Sequence, residues 1–110
     1  MNTEPNLDVD RLLDQVRQQQ EQVQRIQRGV EAMEIKGSSR GDEVTVTLRG
    51  TGRFTEVSID QEAVRRYDAR TLGEIVLEAV NDGLRKLGEA STARFAPVIE
   101  AASRIERFEA

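Results

Sequence analysis

From Val9 to Met33 the chain places an apolar residue at every third or fourth position: Val9, Leu12, Val16, Val23, Ile26, Val30 and Met33, with Gln19 the one interruption. That spacing follows the turn of an α-helix and predicts a single helix over residues 8–34. Asp8, Asp10 and Asp14 lie near its start, where the helix dipole favours negative charge. At 1.5 Å per residue such a helix is about 40 Å long. A compact body of this size has a radius of gyration of roughly 13 Å and spans about 35 Å. An apolar stripe as long as the whole body needs a second surface to cover it, so a homodimer is expected. The expected seam is Val9, Leu12, Val16, Val23 and Ile26. Its C-terminal part should rest on the chain's own sheet, and its N-terminal part should project as an arm or pair with a partner.

After the helix the period changes. Residues 33–36 read as a short extended segment, followed by a turn rich in Gly and Ser from Gly37 to Gly41. Glu43–Arg49 alternates, with Val44, Val46 and Leu48 on one face and Thr45, Thr47 and Arg49 on the other. Gly50-Thr51-Gly52 connects it to Arg53–Asp60, with Val57 and Ile59 expected inward. A three-stranded antiparallel meander of this kind needs a cover for its apolar side. Residues 61–67 suggest a helical turn, and Asp68 is placed to cap the next helix. The helical period returns at Leu72, Ile75, Val76, Ala79, Val80, Leu84 and Leu87. Pro97 marks either a kink or the start of a separate last helix. The expected class is therefore α+β: a long N-terminal helix, three strands and a long C-terminal helix with a break near Pro97 as one option. Residues 1–7 should fray, residues 8–92 should form the domain, and residues 93–110 should form a helical extension.

Composition removes whole classes of chemistry. The 110 residues contain no Cys and no His. Disulfide scaffolds, thiolate or imidazole metal sites and cysteine nucleophiles are excluded. No nucleophile paired with a base can be named, so no catalytic residue, metal or cofactor is expected. No apolar run is long enough to span a membrane, and the acidic, polar first ten residues do not read as a signal peptide. Net charge is −4 from 16 basic and 20 acidic residues, which taken globally argues against nucleic acid. The charge is uneven, however: residues 1–35 carry −3, residues 36–66 carry +1 and residues 67–110 carry −2.

The ordered segments Met33-Glu34-Ile35-Lys36-Gly37, Val44-Thr45-Val46-Thr47-Leu48-Arg49-Gly50, Glu56-Val57-Ser58-Ile59-Asp60 and Val80-Asn81-Asp82-Gly83 resemble the YbaB/EbfC family of bacterial nucleoid-associated proteins. The likeness covers roughly residues 12–90. It implies an α+β fold, a tweezer-like homodimer, and binding of double-stranded DNA in the cytoplasm, at the nucleoid. It also implies a non-enzymatic role in nucleoid organisation or gene expression. Family C-termini often end in a short flexible tail. Here Ala93–Phe108 is amphipathic instead, which makes residues 93–110 the candidate surface for a protein partner.

Arginine outnumbers lysine by 14 to 2, and its forked donors match a phosphate bidentately. The candidate DNA-binding residues are Arg17, Arg25 and Arg28 on the first helix and Arg40, Arg49, Arg53, Arg65 and Arg66 on or near the sheet. Taken singly, each reads more simply as a solvated surface charge. The Gly-rich turns lack the Lys-Ser/Thr of a phosphate loop. Tyr67 and the three Phe form no stacking platform for single strands. The competing reading is a dimeric protein-interaction adaptor, or a secretion-linked accessory factor, of the same fold with little affinity for DNA.

Overall fold

A computed structural model describes the backbone of residues 4–109 and the side chains of residues 8–103. The elements run α1 (Glu4–Glu31), β1 (Glu34–Ser38), β2 (Val44–Arg49), β3 (Phe54–Ile59), α2 (Gln61–Arg66) and α3 (Ala69–Glu109). Helix α1 is shifted towards the N-terminus relative to its apolar stripe. Glu4–Leu7, expected to fray, form its first turn, where the missing N–H of Pro5 costs nothing because first-turn amides have no intrahelical partner. Residues 1–3 lie outside the described residues. Met33, expected within the helix, lies just past it. Its amide donates to the Val30 carbonyl at 3.0 Å and its own carbonyl accepts the Gly50 amide at 2.9 Å, which turns the chain into the sheet.

The strands form an antiparallel meander in the order β1-β2-β3. β1 pairs with β2 from Glu34↔Arg49 to Ser38↔Thr45. β2 pairs with β3 at Val44↔Ile59, Val46↔Val57 and Leu48↔Phe54, with a register shift that leaves Thr55 as the extra residue of a bulge. Val44, Val46 and Leu48 are fully buried, and Ala79 of α3 closes over them. Phe54, Ile75, Val76 and Val80 fill in around this centre.

Two glycines set how closely the layers approach. A Cβ on Gly37 would lie 2.5 Å from the Ala79 carbonyl oxygen and 2.6 Å from the Gly83 Cα. β1 and α3 therefore touch backbone to backbone. A Cβ on Gly50 would overlap the Val30 carbonyl oxygen, so the end of β2 is pressed against the last turn of α1. Ordinary contacts need more than 3.4 Å, and any larger residue would push the layers apart.

Two open points are decided by the structure and one expectation is corrected. First, α3 is one helix of 41 residues that runs through Pro97 and past Gly88 and Ser91-Thr92. Proline removes a single intrahelical bond, and beyond it α3 continues alongside α1, with Val98 and Ala102 across a cavity from Val16 and Val23. Second, the body is not compact. It measures 83 × 27 × 16 Å with a radius of gyration of 22.2 Å, against roughly 13 Å for a compact chain of this length. The stripe of α1 is partly covered by the chain's own α3, which runs back alongside it. Third, Val57 and Ile59 share the inner face with Val46 and Val44 yet remain 50% and 38% exposed. The reason is geometric: α3 lies over β1 and β2 and stops short of β3.

Candidate nucleic-acid interface

The end of β1 is held by Asp82. The Ser38 amide donates to its Oδ2 at 2.8 Å, and Lys86 Nζ lies 3.0 Å from the same oxygen. Arg85 donates through one nitrogen to Asp82 Oδ1 and through the other to Glu89 Oε1, both at 2.8 Å. The Ser38 amide, then Arg85 and Lys86, hold the Asp82 carboxyl far below the usual carboxylate range. Asp82 and Glu89 in turn raise the Arg85 guanidinium above its ordinary value. Arg85 and Lys86 are thus engaged with acids and poorly available to phosphate. A second carboxylate, Asp68, accepts the Thr71 amide at 2.8 Å and caps α3, which lowers its pKa through that same bond.

The eight candidate arginines fall into two groups. Arg49 and Arg53 flank the β2–β3 turn, joined by a 2.8 Å bond from the Arg49 amide to the Arg53 carbonyl. Gly50 ties this turn to Met33 at the end of α1, so Arg28, in the last turn of α1, stands at the same end of the sheet. At 100° per residue, Arg17, Arg25 and Arg28 fall within about 80° of one another and point away from the Val16–Val23 side that meets α3. All five are exposed. Among the described residues Arg25, Arg28, Arg49 and Arg53 have no acidic side chain within ion-pair distance, whereas Arg17 lies 3.9 Å from Asp14. The second group sits at the other end of the sheet. Arg40, in the β1–β2 turn, lies 3.9 Å from Glu78 with its side chain 96% exposed. Arg65 lies 3.8 Å from Glu62, and Arg66 lies over the Tyr67 ring with 6.0 Å to the centroid. Loose exposed pairs of this kind contribute little and yield readily to a phosphate.

Sequence reading missed two residues. Arg94 of α3 reaches α1, where a Cβ on Gly29 would lie 3.4 Å from its Nη1. Asp82 was visible only as part of a motif. Its spacing to Arg85, Lys86 and Glu89 is the i+3, i+4, i+7 pattern of a helix-surface ion network, but its bond to a strand is not a local feature.

Residues 5–102 match the sequence pattern of the family described as the YbaB/EbfC DNA-binding family. The chain belongs to that family. YbaB/EbfC is a DNA-binding family, not an enzymatic one. A nucleoid-associated protein of Thermobifida fusca is 35% identical, over 91% of this chain and 90% of its own length. Another from Corynebacterium kroppenstedtii is 35% identical over 86% and 94%, and one from Mycobacteroides abscessus 34% identical over 83% and 80%. The crystal structure of the uncharacterized protein HP0035 from Helicobacter pylori shares the fold, with a TM-score of 0.65 at 17% identity over 80% of this chain and 92% of that one. Among the described residues no helix is long and apolar enough to cross a membrane.

Proposed function

We propose that this YbaB/EbfC member acts as a homodimer at the nucleoid, in the cytoplasm, and binds double-stranded DNA mainly through Arg–phosphate contacts. The reading is supported by Arg28, Arg49 and Arg53 at one end of the sheet and Arg25 one turn back along α1, all exposed and without an acidic group in ion-pair distance among the described residues. A net-acidic chain can bind a polyanion when its unpaired cations share one surface and its acids are engaged elsewhere. Phosphate contacts position a protein on a duplex without reading its sequence. The consequence is organisation of DNA, or an influence on gene expression, without cutting or modification.

The dimer is supported by apolar surface that one subunit leaves uncovered. Val57 and Ile59 on β3 are joined by Leu77 and Leu84 on α3, 57% and 45% exposed. Asp82 marks the flank of α3 that faces β1. At 100° per residue, Leu77 and Leu84 project from the opposite flank, on the β3 side. Exposed apolar side chains of this size on neighbouring elements mark an interface. The seam expected on α1 is a separate surface.

The test is retention of duplex DNA by the full chain across a series of salt concentrations, compared with the triple variant Arg25→Gln, Arg28→Gln, Arg53→Gln. Binding should fall steeply with salt. The slope of log K against log salt should become shallower by about 0.9 for each arginine that loses a phosphate. No retention at low salt, or an unchanged slope in the variant, would overturn the proposal.

A further inference from the structure

The N-terminal half of α1 carries a second apolar surface that α3 covers only in part. Val9, Leu12, Leu13 and Val16 are 52%, 60%, 56% and 50% exposed even with α3 alongside. They occupy positions i, i+3, i+4 and i+7 and so share one face of the helix. Their arrangement is symmetric about the midpoint between Leu12 and Leu13. Reversing the chain direction there puts Val9 opposite Val16 and Leu12 opposite Leu13.

The flanking charges have the same symmetry. On one edge of the stripe lie Asp10 and Arg17, and on the other Asp8 and Gln15, all exposed. In an antiparallel pair related by a two-fold axis, residues on the same edge meet. Arg17 then stands within about 3 Å along the axis of Asp10 from the other helix, and Gln15 within about 3 Å of Asp8. Among the described residues of its own chain Arg17 has a loose pair alone, 3.9 Å from Asp14 with side chains 70% and 69% exposed. A parallel pairing would instead bring opposite edges together and place Asp8 beside Asp10 of the other helix, which like charges oppose.

We propose that this segment docks antiparallel on the same segment of a second copy, with the two-fold axis between Leu12 and Leu13. The contact joins arm to arm. It uses none of Val57, Ile59, Leu77 or Leu84, so it adds to the body interface and links dimers to one another. It goes beyond DNA binding and does not depend on it.

The chain has no cysteine, which makes directional cross-linking clean. Full-length Val9→Cys and Val16→Cys chains are mixed and oxidised. In the antiparallel register position 9 opposes position 16, within disulfide reach. Two copies of position 9 are offset by about 10 Å along the axis, beyond it. The mixed disulfide should form about tenfold faster than either homodisulfide. Homodisulfides forming as fast, or no cross-link, would overturn the proposal. Sedimentation at rising concentration gives the second readout. Arg17→Asp should abolish the assembly step above the body dimer, and adding Asp10→Arg should restore it. Loss without rescue, or no loss, would equally overturn it. Because these substitutions lie on an exposed surface remote from the β3 patch, and the cysteine exchanges spare every candidate arginine, the cross-linking result leaves the body dimer and DNA retention to be judged separately.

Discussion

Replacing Gly37 with Ala tests the contact that sets the sheet on α3. The new methyl would lie 2.5 Å from the Ala79 carbonyl oxygen and 2.6 Å from the Gly83 Cα, where ordinary contact begins at 3.4 Å. Both neighbours are helix backbone, so β1 must lift by several tenths of an ångström or more. The same lift stretches the 2.8 Å bond from the Ser38 amide to Asp82. Overpacking of this kind costs about 1–3 kcal/mol, and a weakened bond adds up to about 1 kcal/mol. Reduced freedom of the unfolded chain offsets about 0.4–1 kcal/mol. The net expectation is about 2 kcal/mol of destabilisation, which for a domain of this size lowers Tm by roughly 8–10 °C. Gly83→Ala supplies the contrast. Its methyl would meet Leu48 Cδ2 at 3.0 Å and Val46 Cγ2 at 3.4 Å, side-chain ends that can turn aside. A helix interior also gains about 1 kcal/mol from Gly to Ala. That variant should stay within about 1 kcal/mol of the parent. The assay is thermal unfolding by far-UV circular dichroism at one protein concentration, because association shifts Tm by mass action. A Gly37→Ala chain that melts with the parent, or a Gly83→Ala chain that melts lower than Gly37→Ala, would refute the close-approach argument.

Other outcomes follow from the same contacts. Asp82 has its folded pKa depressed, so its contribution is complete above the unfolded value of about 3.9 and is lost as pH falls below it. Chemical denaturation should therefore show the gap between the parent and Asp82→Asn widest above about pH 4 and closing at lower pH; a constant gap would show that the carboxylate charge is irrelevant. Val57→Asp combined with Leu84→Asp should yield a folded single subunit by light scattering, and a persistent dimer would place the body interface elsewhere.

Much of the fold was legible because its signals are local. The alternation from Val44 to Leu48 and the bounding glycines placed the β2–β3 hairpin to within a residue or so, since strand period and turn chemistry act over a few neighbours. Asn81-Asp82-Gly83, a turn-forming triplet in isolation, lies within a helical period on both sides, and α3 runs through it. Pro97 and the ends of α1 were less legible. Whether a helix continues past a proline or stops at Glu31 depends on what packs beside it, and that partner is far away in sequence. The arginines were visible as a set, but their division between two ends of the sheet was not, because strand register and the Gly50–Met33 contact decide it.

Taken alone, the sequence determined the kind and order of the elements, the inner face of the central strand and the absence of imidazole and thiol chemistry. These depend on residue type and on periodicity along one stretch of chain. Tertiary structure decided that α3 covers two strands and leaves most of the third exposed. It also decided that α3 returns along α1 and that Asp82 is tied to a strand. Those outcomes arise from contacts between residues tens of positions apart, such as Ser38 with Asp82 and Gly37 with Gly83. Such a contact depends on where both segments lie in space, and no periodicity within either segment records that.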